Sequence, residues 1–357
     1  MEIAYLVHLN MGPKTGVFKK VTKQVESWME LGEQVCLYVL TRDEDVRRGL
    51  DGKASCYFYE KGSCRDRLMK MRSVVDKIIT SEPDIAYLRQ DHFYPAYARL
   101  ERALPTILEI NSDVNEELRG YSKTQWLYNK CTESQLWRRC SGAVFVTGEL
   151  AGRKAAYLAG RPARVIANGL GLAGRRPVEA TDIGAPPTLF FLGSMGMPWN
   201  GFDKILYLAQ TLKEWHFHLV GAAEHAPLHV PPNIHLHGVL TEEEYSPLLK
   251  ASDVAISTLA LHRKRMNEAS PLKTREYLAY GLPVIIGYKD TDFPDEPDFL
   301  LRLENREDNV ERSIDRIRDF VLRWKGKRVP REQVLRIDAV GKEKARIAFF
   351  KTVLGQS

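Results

Sequence analysis

Residues 268–287 read Glu-Ala-Ser-Pro-Leu-Lys-Thr-Arg-Glu-Tyr-Leu-Ala-Tyr-Gly-Leu-Pro-Val-Ile-Ile-Gly. Ser270 is a good N-cap, Pro271 is favoured at a first helical position, and Gly281 suits the residue just past a helix end. Leu282–Ile286 then reads as a buried strand. The stretch is therefore a loop, a short helix and a strand. Glu268 falls before the helix and Glu276 about a turn and a half inside it. The free N–H groups of the first turn make an anion site with a carboxylate on each side. With Ser270 as cap, Lys273 takes the position where a capping box carries Glu or Gln. Lys273 and Arg275 both oppose the helix dipole there, at a cost of about 0.3–1 kcal/mol each. A bound phosphate would reverse that sign.

The same alternation of strand and helix runs in both directions from this stretch. Residues 2–9 form an apolar strand, followed by the loop Asn10-Met11-Gly12-Pro13-Lys14-Thr15-Gly16, a helix to Leu31 and a strand over 34–41. Such a unit is a right-handed crossover in a parallel sheet, with the loop at the ligand-binding carboxyl end. Helices over 68–81, 93–103, 124–140 and 149–159 alternate with strands over 85–89, 106–110 and 143–146. Residues 170–186 lack periodicity and read as a linker. The pattern restarts with strand 188–192, helix 202–212, strands 216–220 and 234–237, helix 242–251 and strand 254–256. Helices over 306–324 and 337–354 complete the chain. This is an α/β plan, doubly wound twice over.

At 357 residues, 44% apolar and 27% charged, the chain is long enough for two cores. No apolar run reaches the length of a membrane span, and the amino terminus lacks the basic region of a signal peptide. The expected setting is the cytoplasm. Five cysteines, all within the first 140 residues and without a Cys-x-x-Cys pair, argue against a disulfide framework or a zinc site. They read as reduced and mostly buried. The net charge of +6 is lopsided: residues 1–165 hold 26 Lys and Arg against 21 Asp and Glu. Lys14, Lys19, Lys20 and Lys23, then Lys61, Arg65, Arg67, Lys70 and Arg72, read as a solvated face or as one that meets anionic lipid or an anionic acceptor. Nothing points to nucleic acid. His216, His218, His235 and His237 read as strand histidines, since no ligand-spaced partners accompany them. Asp43-x-Asp45 and Asp290-x-Asp292 read as acidic loop ends.

The chain resembles the retaining glycosyltransferases of family 4 (glycosyl transferases group 1), which have the GT-B architecture. The resemblance rests on Glu268-x7-Glu276 with the Tyr-Leu-Ala-Tyr-Gly-Leu-Pro-Val-Ile that follows. It is supported by Val165–Gly169, Phe191-Leu-Gly-Ser, Asn200–Asp203, Leu219–Gly221, Asn233–Leu240 and Ala251–Val254. It implies two Rossmann-like domains with an interdomain cleft: 1–170 for the acceptor, a linker at 171–186, 187–336 for the nucleotide-sugar donor, and a crossover helix in 337–357 returning to the first domain.

By that resemblance Glu268 binds donor-sugar hydroxyls and Glu276 the ribose. Ala269, Ser270, Pro271, Leu272 and Lys273 meet the diphosphate, and Gly16 approaches it from the first domain. Gly221 belongs to the same donor site, and Val239 and Leu240 lie by the nucleobase. Asn111 stands where the family often has a histidine. The family's usual arginine and lysine are replaced by Ser194 and Asn200, a loss of the cations that neutralise a leaving diphosphate. Lys273 and Arg275 are the candidate substitutes, with Arg263, Lys264 and Arg265 in the preceding loop. The catalytic set is Glu268, Lys273 and Asn111.

The implied reaction moves a sugar from a nucleotide-diphosphate sugar to a glycan or lipid-linked acceptor. It proceeds with retention and without metal or other cofactor, in envelope polysaccharide or glycoconjugate synthesis at the inner face of the membrane. The alternative is a non-catalytic GT-B-like protein that binds nucleotide sugar or partners a transferase. Epimerase and phosphorylase patterns are not legible.

Overall fold

The computed structural model describes residues 1–10, 12–13, 15–119, 122–177, 184–221 and 229–356. Met11 and Lys14 of the first loop, and 178–183 of the linker segment, lie outside the described residues. The chain forms two compact units, Met1–Ala167 with Val340–Ser357, and Asn168–Ala339.

The first unit begins with strand β1 (Glu2–His8), helix α1 (Gly16–Glu30) and strand β2 (Gln34–Thr41). Helix α2 (Glu44–Gly49) and strand β3 (Ser55–Phe58) follow, two elements absent from the sequence reading. Asp43 caps α2, its carboxylate accepting from the Asp45 and Val46 amides. Helix α3 (Cys64–Thr80), strand β4 (Ile85–Arg89), helix α4 (Tyr97–Ala103) and strand β5 (Thr106–Ile110) come next. Helices α5 (Val114–Arg119) and α6 (Lys123–Leu136), strand β6 (Gly142–Phe145), helix α7 (Gly148–Leu158) and strand β7 (Ala163–Val165) complete this run. The seven strands are all parallel, in the order β3-β2-β1-β4-β5-β6-β7. Strand order reverses between β1 and β4, the switch point at which open α/β sheets bind ligands.

The second unit repeats the plan with strand β8 (Thr188–Leu192), helix α8 (Phe202–Thr211), strands β9 (His216–Val220) and β10 (Ile234–Leu236), and helix α9 (Glu242–Ala251). Strand β11 (Val254–Ile256), the short strand β12 (Glu268–Ala269), helix α10 (Leu272–Ala279) and strand β13 (Val284–Ile286) follow. Strands β14 (Lys289–Asp290) and β15 (Leu300–Arg302) and helix α11 (Ile314–Trp324) end the unit. Its main sheet is parallel, ordered β10-β9-β8-β11-β13-β15, and β12 pairs separately with β14.

The last helix, α12 (Ala339–Val353), contributes Ile347, Phe349 and Phe350 to the core of the first unit. Its Glu343 accepts from Trp28 Nε1 at 2.7 Å, and Arg346 donates to the Tyr87 hydroxyl at 2.6 Å.

Among the described residues no helix is long and apolar enough to cross a membrane. The cysteines are free but not mostly buried: Cys36, Cys64 and Cys131 are exposed and only Cys140 is fully covered. They sit at strand and helix positions that face solvent, which a count of thiols does not reveal.

Candidate functional site: the amino end of helix α10

Helix α10 ends as its sequence predicts. Gly281 takes φ +78°, its N–H bonds the Leu278 carbonyl at 3.0 Å, and the Leu282 N–H bonds Tyr277 at 2.9 Å. That is a Schellman stop. The start differs from expectation. Pro271, not Ser270, is the capping residue, and no side chain caps the helix. The Ser270 hydroxyl instead accepts from the Asn168 N–H and an Arg275 Nη, each at 2.9 Å. The first-turn amides of α10 thus lack a capping side chain, a local arrangement that suits an anion.

Lys273 occupies that first turn. Its Nζ donates to Asn200 Oδ1 at 2.8 Å and lies 4.4 Å from the centre of the Phe191 ring. The Asn200 amide in turn donates to the Ser194 carbonyl at 2.7 Å. Lys273, Asn200 and Ser194 are therefore one hydrogen-bonded chain. No carboxylate pairs with Lys273 among the described residues. Burial lowers its ammonium to about 7, as desolvation without a counter-charge must. The helix is held to the end of β8 by Tyr277, whose hydroxyl accepts from the Leu192 N–H at 2.7 Å.

Glycine contacts shape the neighbouring strand ends. The Gly193 N–H bonds Val220 at 2.8 Å and the Gly221 N–H bonds Gly238 at 2.7 Å. Gly221 has φ +141°, and a Cβ there would stand 2.1 Å from the Gly193 oxygen. No other residue fits this approach. Val239 is exposed and Leu240 half-buried just after β10, ahead of the Thr241 capping box of α9.

Glu268 and Ala269 form β12, and both are half-buried. Glu276 is half-buried on α10 and accepts from the Tyr245 hydroxyl of α9. That contact, with the Glu276 charge, burial first among the causes, raises the Tyr245 phenol far above its usual range.

Arg275 does not stand beside Lys273. It is fully buried and points away, with Nη1 2.6 Å from Asp290 Oδ2, Nη2 2.9 Å from Asp290 Oδ1 and 3.0 Å from Asp292 Oδ2. The expectation that it supplies a diphosphate cation is corrected: its charge is consumed by two buried carboxylates. Asp290 and Asp292 are accordingly more than acidic loop ends. Arg263 is likewise committed, forking onto Asp203 at 2.7 and 2.8 Å and pairing with Glu307. Lys264 lies over the Trp199 ring at 4.5 Å.

Gly16 and Asn111 lie in the first unit. Gly16 is the first residue of α1, behind the Thr15 cap. One turn on, Lys20 turns inward and donates to Asn111 Oδ1 at 2.5 Å and to Glu109 Oε1 at 2.8 Å. Burial lowers Lys20 to about 8, with Glu109 opposing the shift. The Asn111 Nδ2 is buried with no hydrogen-bond partner among the described residues. Lys20 is thus not part of a solvated basic face. Phe191, Tyr245, Tyr277 and Lys20 were not identified as site residues from sequence, since their partners are distant in the chain.

The four strand histidines form a row. Residues 218 and 235 are register partners, with rings stacked 4.9 Å apart, and 216 and 237 extend the row on either side. Among the described residues no group of three or more His, Cys, Asp or Glu is arranged to hold a metal ion.

Residues 186–318 match the family model described as Glycosyl transferases group 1. No curated protein matches the chain by sequence. Solved structures match along its whole length. Sucrose-phosphate synthase from Thermosynechococcus elongatus superposes with a TM-score of 0.73 at 12% identity, over 100% of each chain. HepE of Anabaena, in complex with UDP and glucose, gives 0.66 at 13%, over 99% of this chain and 100% of its own. The lipopolysaccharide outer core galactosyltransferase WaaB, in its apo form, gives 0.66 at 11%, over 99% of each. The fold, two parallel α/β units, is that of GT-B glycosyltransferase structures. The family match, which lies within the unit bearing α10, supports a glycosyltransferase.

Proposed function

We propose that the protein transfers a sugar from a nucleotide-diphosphate sugar to a hydroxylated glycan or lipid-linked acceptor, with retention and without metal or other cofactor. One observation carries the reading. A carboxylate-free lysine, Lys273, stands in the uncapped first turn of α10, bonded to Asn200 at the position of a missing family cation. Breaking the sugar–phosphate bond leaves charge on the diphosphate, and fixed cations and amides stabilise such charge best. In this reading Lys273 and the first-turn amides hold the diphosphate, Glu268 the sugar and Glu276 the ribose. The leaving phosphate takes the acceptor proton.

UDP is the first nucleotide to test, since HepE is solved with UDP-glucose. The basic excess of the first unit favours work at the cytoplasmic face of an anionic membrane. The non-catalytic alternative rested on Ser194 and Asn200, and Lys273 supplies the charge they lack.

The test screens UDP, GDP and ADP sugars by thermal shift, then measures donor hydrolysis. A donor at a hundred times its Kd stabilises by about 2.7 kcal/mol. Lys273→Ala should abolish turnover with the fold intact. Unchanged hydrolysis in that variant rejects the reading.

A further inference from the structure

Helices α9 and α10 of the second unit exchange phenol–carboxylate hydrogen bonds in opposite senses. The Tyr245 hydroxyl of α9 donates to Glu276 Oε1 of α10, and the Tyr280 hydroxyl of α10 donates to Glu242 Oε1 of α9 at 3.1 Å. Glu242 and Tyr245 are three positions apart and Glu276 and Tyr280 four, so each helix presents its pair on one face. The two bonds differ in setting. Glu242 also takes Arg175, whose Nε lies 2.9 Å and Nη2 2.6 Å from the same oxygen. That carboxylate is neutralised within the fold. Glu276 is the half-buried carboxylate beside the amino end of α10.

Tyr245 is held by more than its hydroxyl. It is 3% exposed, and its ring packs on Phe190 of β8 with centres 6.2 Å apart. Phe190 in turn meets the Tyr277 ring of α10 edge-on at 5.9 Å, and the Tyr277 hydroxyl accepts from the Leu192 N–H at the end of β8. The phenol of Tyr245 and the backbone of Glu276 are therefore fixed against one strand.

Buried tyrosine hydroxyls take a partner as a rule, and packing alone would account for a bond of this kind. Its effect on Glu276 goes further. The last torsion of a glutamate is broad and roughly two-fold. An immobile donor on one oxygen narrows it and sets the carboxylate plane before a ligand arrives. The donor is permanent: burial, and then the Glu276 charge, hold the phenol far above its usual range, so it keeps its proton throughout the neutral range. A carboxylate set in this way distinguishes a ligand that presents a hydroxyl to it from one that lacks it.

We propose that Tyr245 is a positioning residue that sets the Glu276 carboxylate for a ribose diol, and so governs preference for ribonucleotide over 2′-deoxyribonucleotide. This rests on the transferase reading above, in which Glu276 holds the ribose.

The test titrates the full chain calorimetrically with UDP, GDP and ADP and with their 2′-deoxy forms. For a base that binds, wild type should hold the ribo form about tenfold more tightly, the worth of one hydrogen bond. Tyr245→Phe keeps the ring on Phe190 and removes the donor. It should cut that ratio about threefold or more, by weakening the ribo form and leaving the 2′-deoxy form as it was. Tyr280→Phe removes the matching bond from the same pair of helices and should leave the ratio at its wild-type value. In a Glu276→Ala background, Tyr245→Phe should not change the ratio further. An unchanged ratio in Tyr245→Phe, equal weakening of both forms, or the same fall in Tyr280→Phe would reduce the bond to packing and overturn the proposal. Failure of the transferase reading shows separately, and overturns the proposal with it: no nucleotide binds wild type, or Glu276→Ala leaves the ratio intact.

Discussion

An ammonium lowered to about 7 is only partly charged at neutral pH. A diphosphate at the amino end of α10 restores the missing counter-charge and raises that value. Donor binding near pH 7.5 should therefore take up a fraction of a proton. Calorimetry of UDP binding in HEPES and Tris, buffers of different ionisation enthalpy, should give enthalpies that differ. Lys273→Arg, charged throughout, should remove the difference, and buffer-independent enthalpies in wild type would exclude Lys273 from the phosphate site. Arg275 is two positions away and behaves differently. Its fork serves Asp290 and Asp292, so Arg275→Ala removes the cation that two buried carboxylates share. Breaking such a pair costs about 3–5 kcal/mol. Urea denaturation should show that loss, and Arg275→Lys should not repair it, since a point charge cannot reproduce the two-pronged contact. A variant of ordinary stability that fails only to bind UDP would return Arg275 to the diphosphate. Sequence distinguished these two cations poorly. Both oppose the helix dipole, but the carboxylates that claim Arg275 lie 15 and 17 positions on, across β13.

The elements legible from sequence are the buried ones. Strands such as β1 and β5 are covered on both faces and read as apolar runs bounded by helical periodicity. Strand β3 escaped notice because it is a half-exposed edge strand, Ser-Cys-Tyr-Phe, with no apolar run. Helices α2 and α5 are six residues each and too short to show a period. The histidine row on β9 and β10 was legible as two same-face pairs, but not as one array, because register between parallel strands is set by the sheet. Its consequence is a pH dependence. Burial, and then its neighbouring imidazoles, lower His218 to about 4, below the unfolded value near 6.5. Acid then favours the unfolded chain: this stability is whole above about pH 6.5 and drains away as pH falls toward 4. The melting temperature of wild type should drop more steeply between about pH 7 and 5 than that of His218→Gln. Parallel slopes would show that His218 does not carry this dependence.

At the scale of the whole molecule, the chain leaves the first unit at Ala167 and returns to it at Val340. The returning helix was legible as a helix over 337–354, and the GT-B fold followed from the resemblance. What it buries was not legible. Glu343 and Arg346 are both nearly inaccessible, and their partners Trp28 and Tyr87 are 315 and 259 positions away in sequence. Phe350 sits among Trp28 and Tyr87 with ring centres 5.7 and 4.9 Å apart, at 0% exposure. The last residues of the chain therefore stabilise its first strands. Phe350→Ala should cost the first unit about 3–5 kcal/mol. On the proposed donor reading, UDP should raise the second unit's transition in calorimetric melts. The variant should lower the other transition and leave the UDP-sensitive one in place. A single transition that falls as a whole would mean that the two units unfold together, and that α12 holds up the second unit as well as its own.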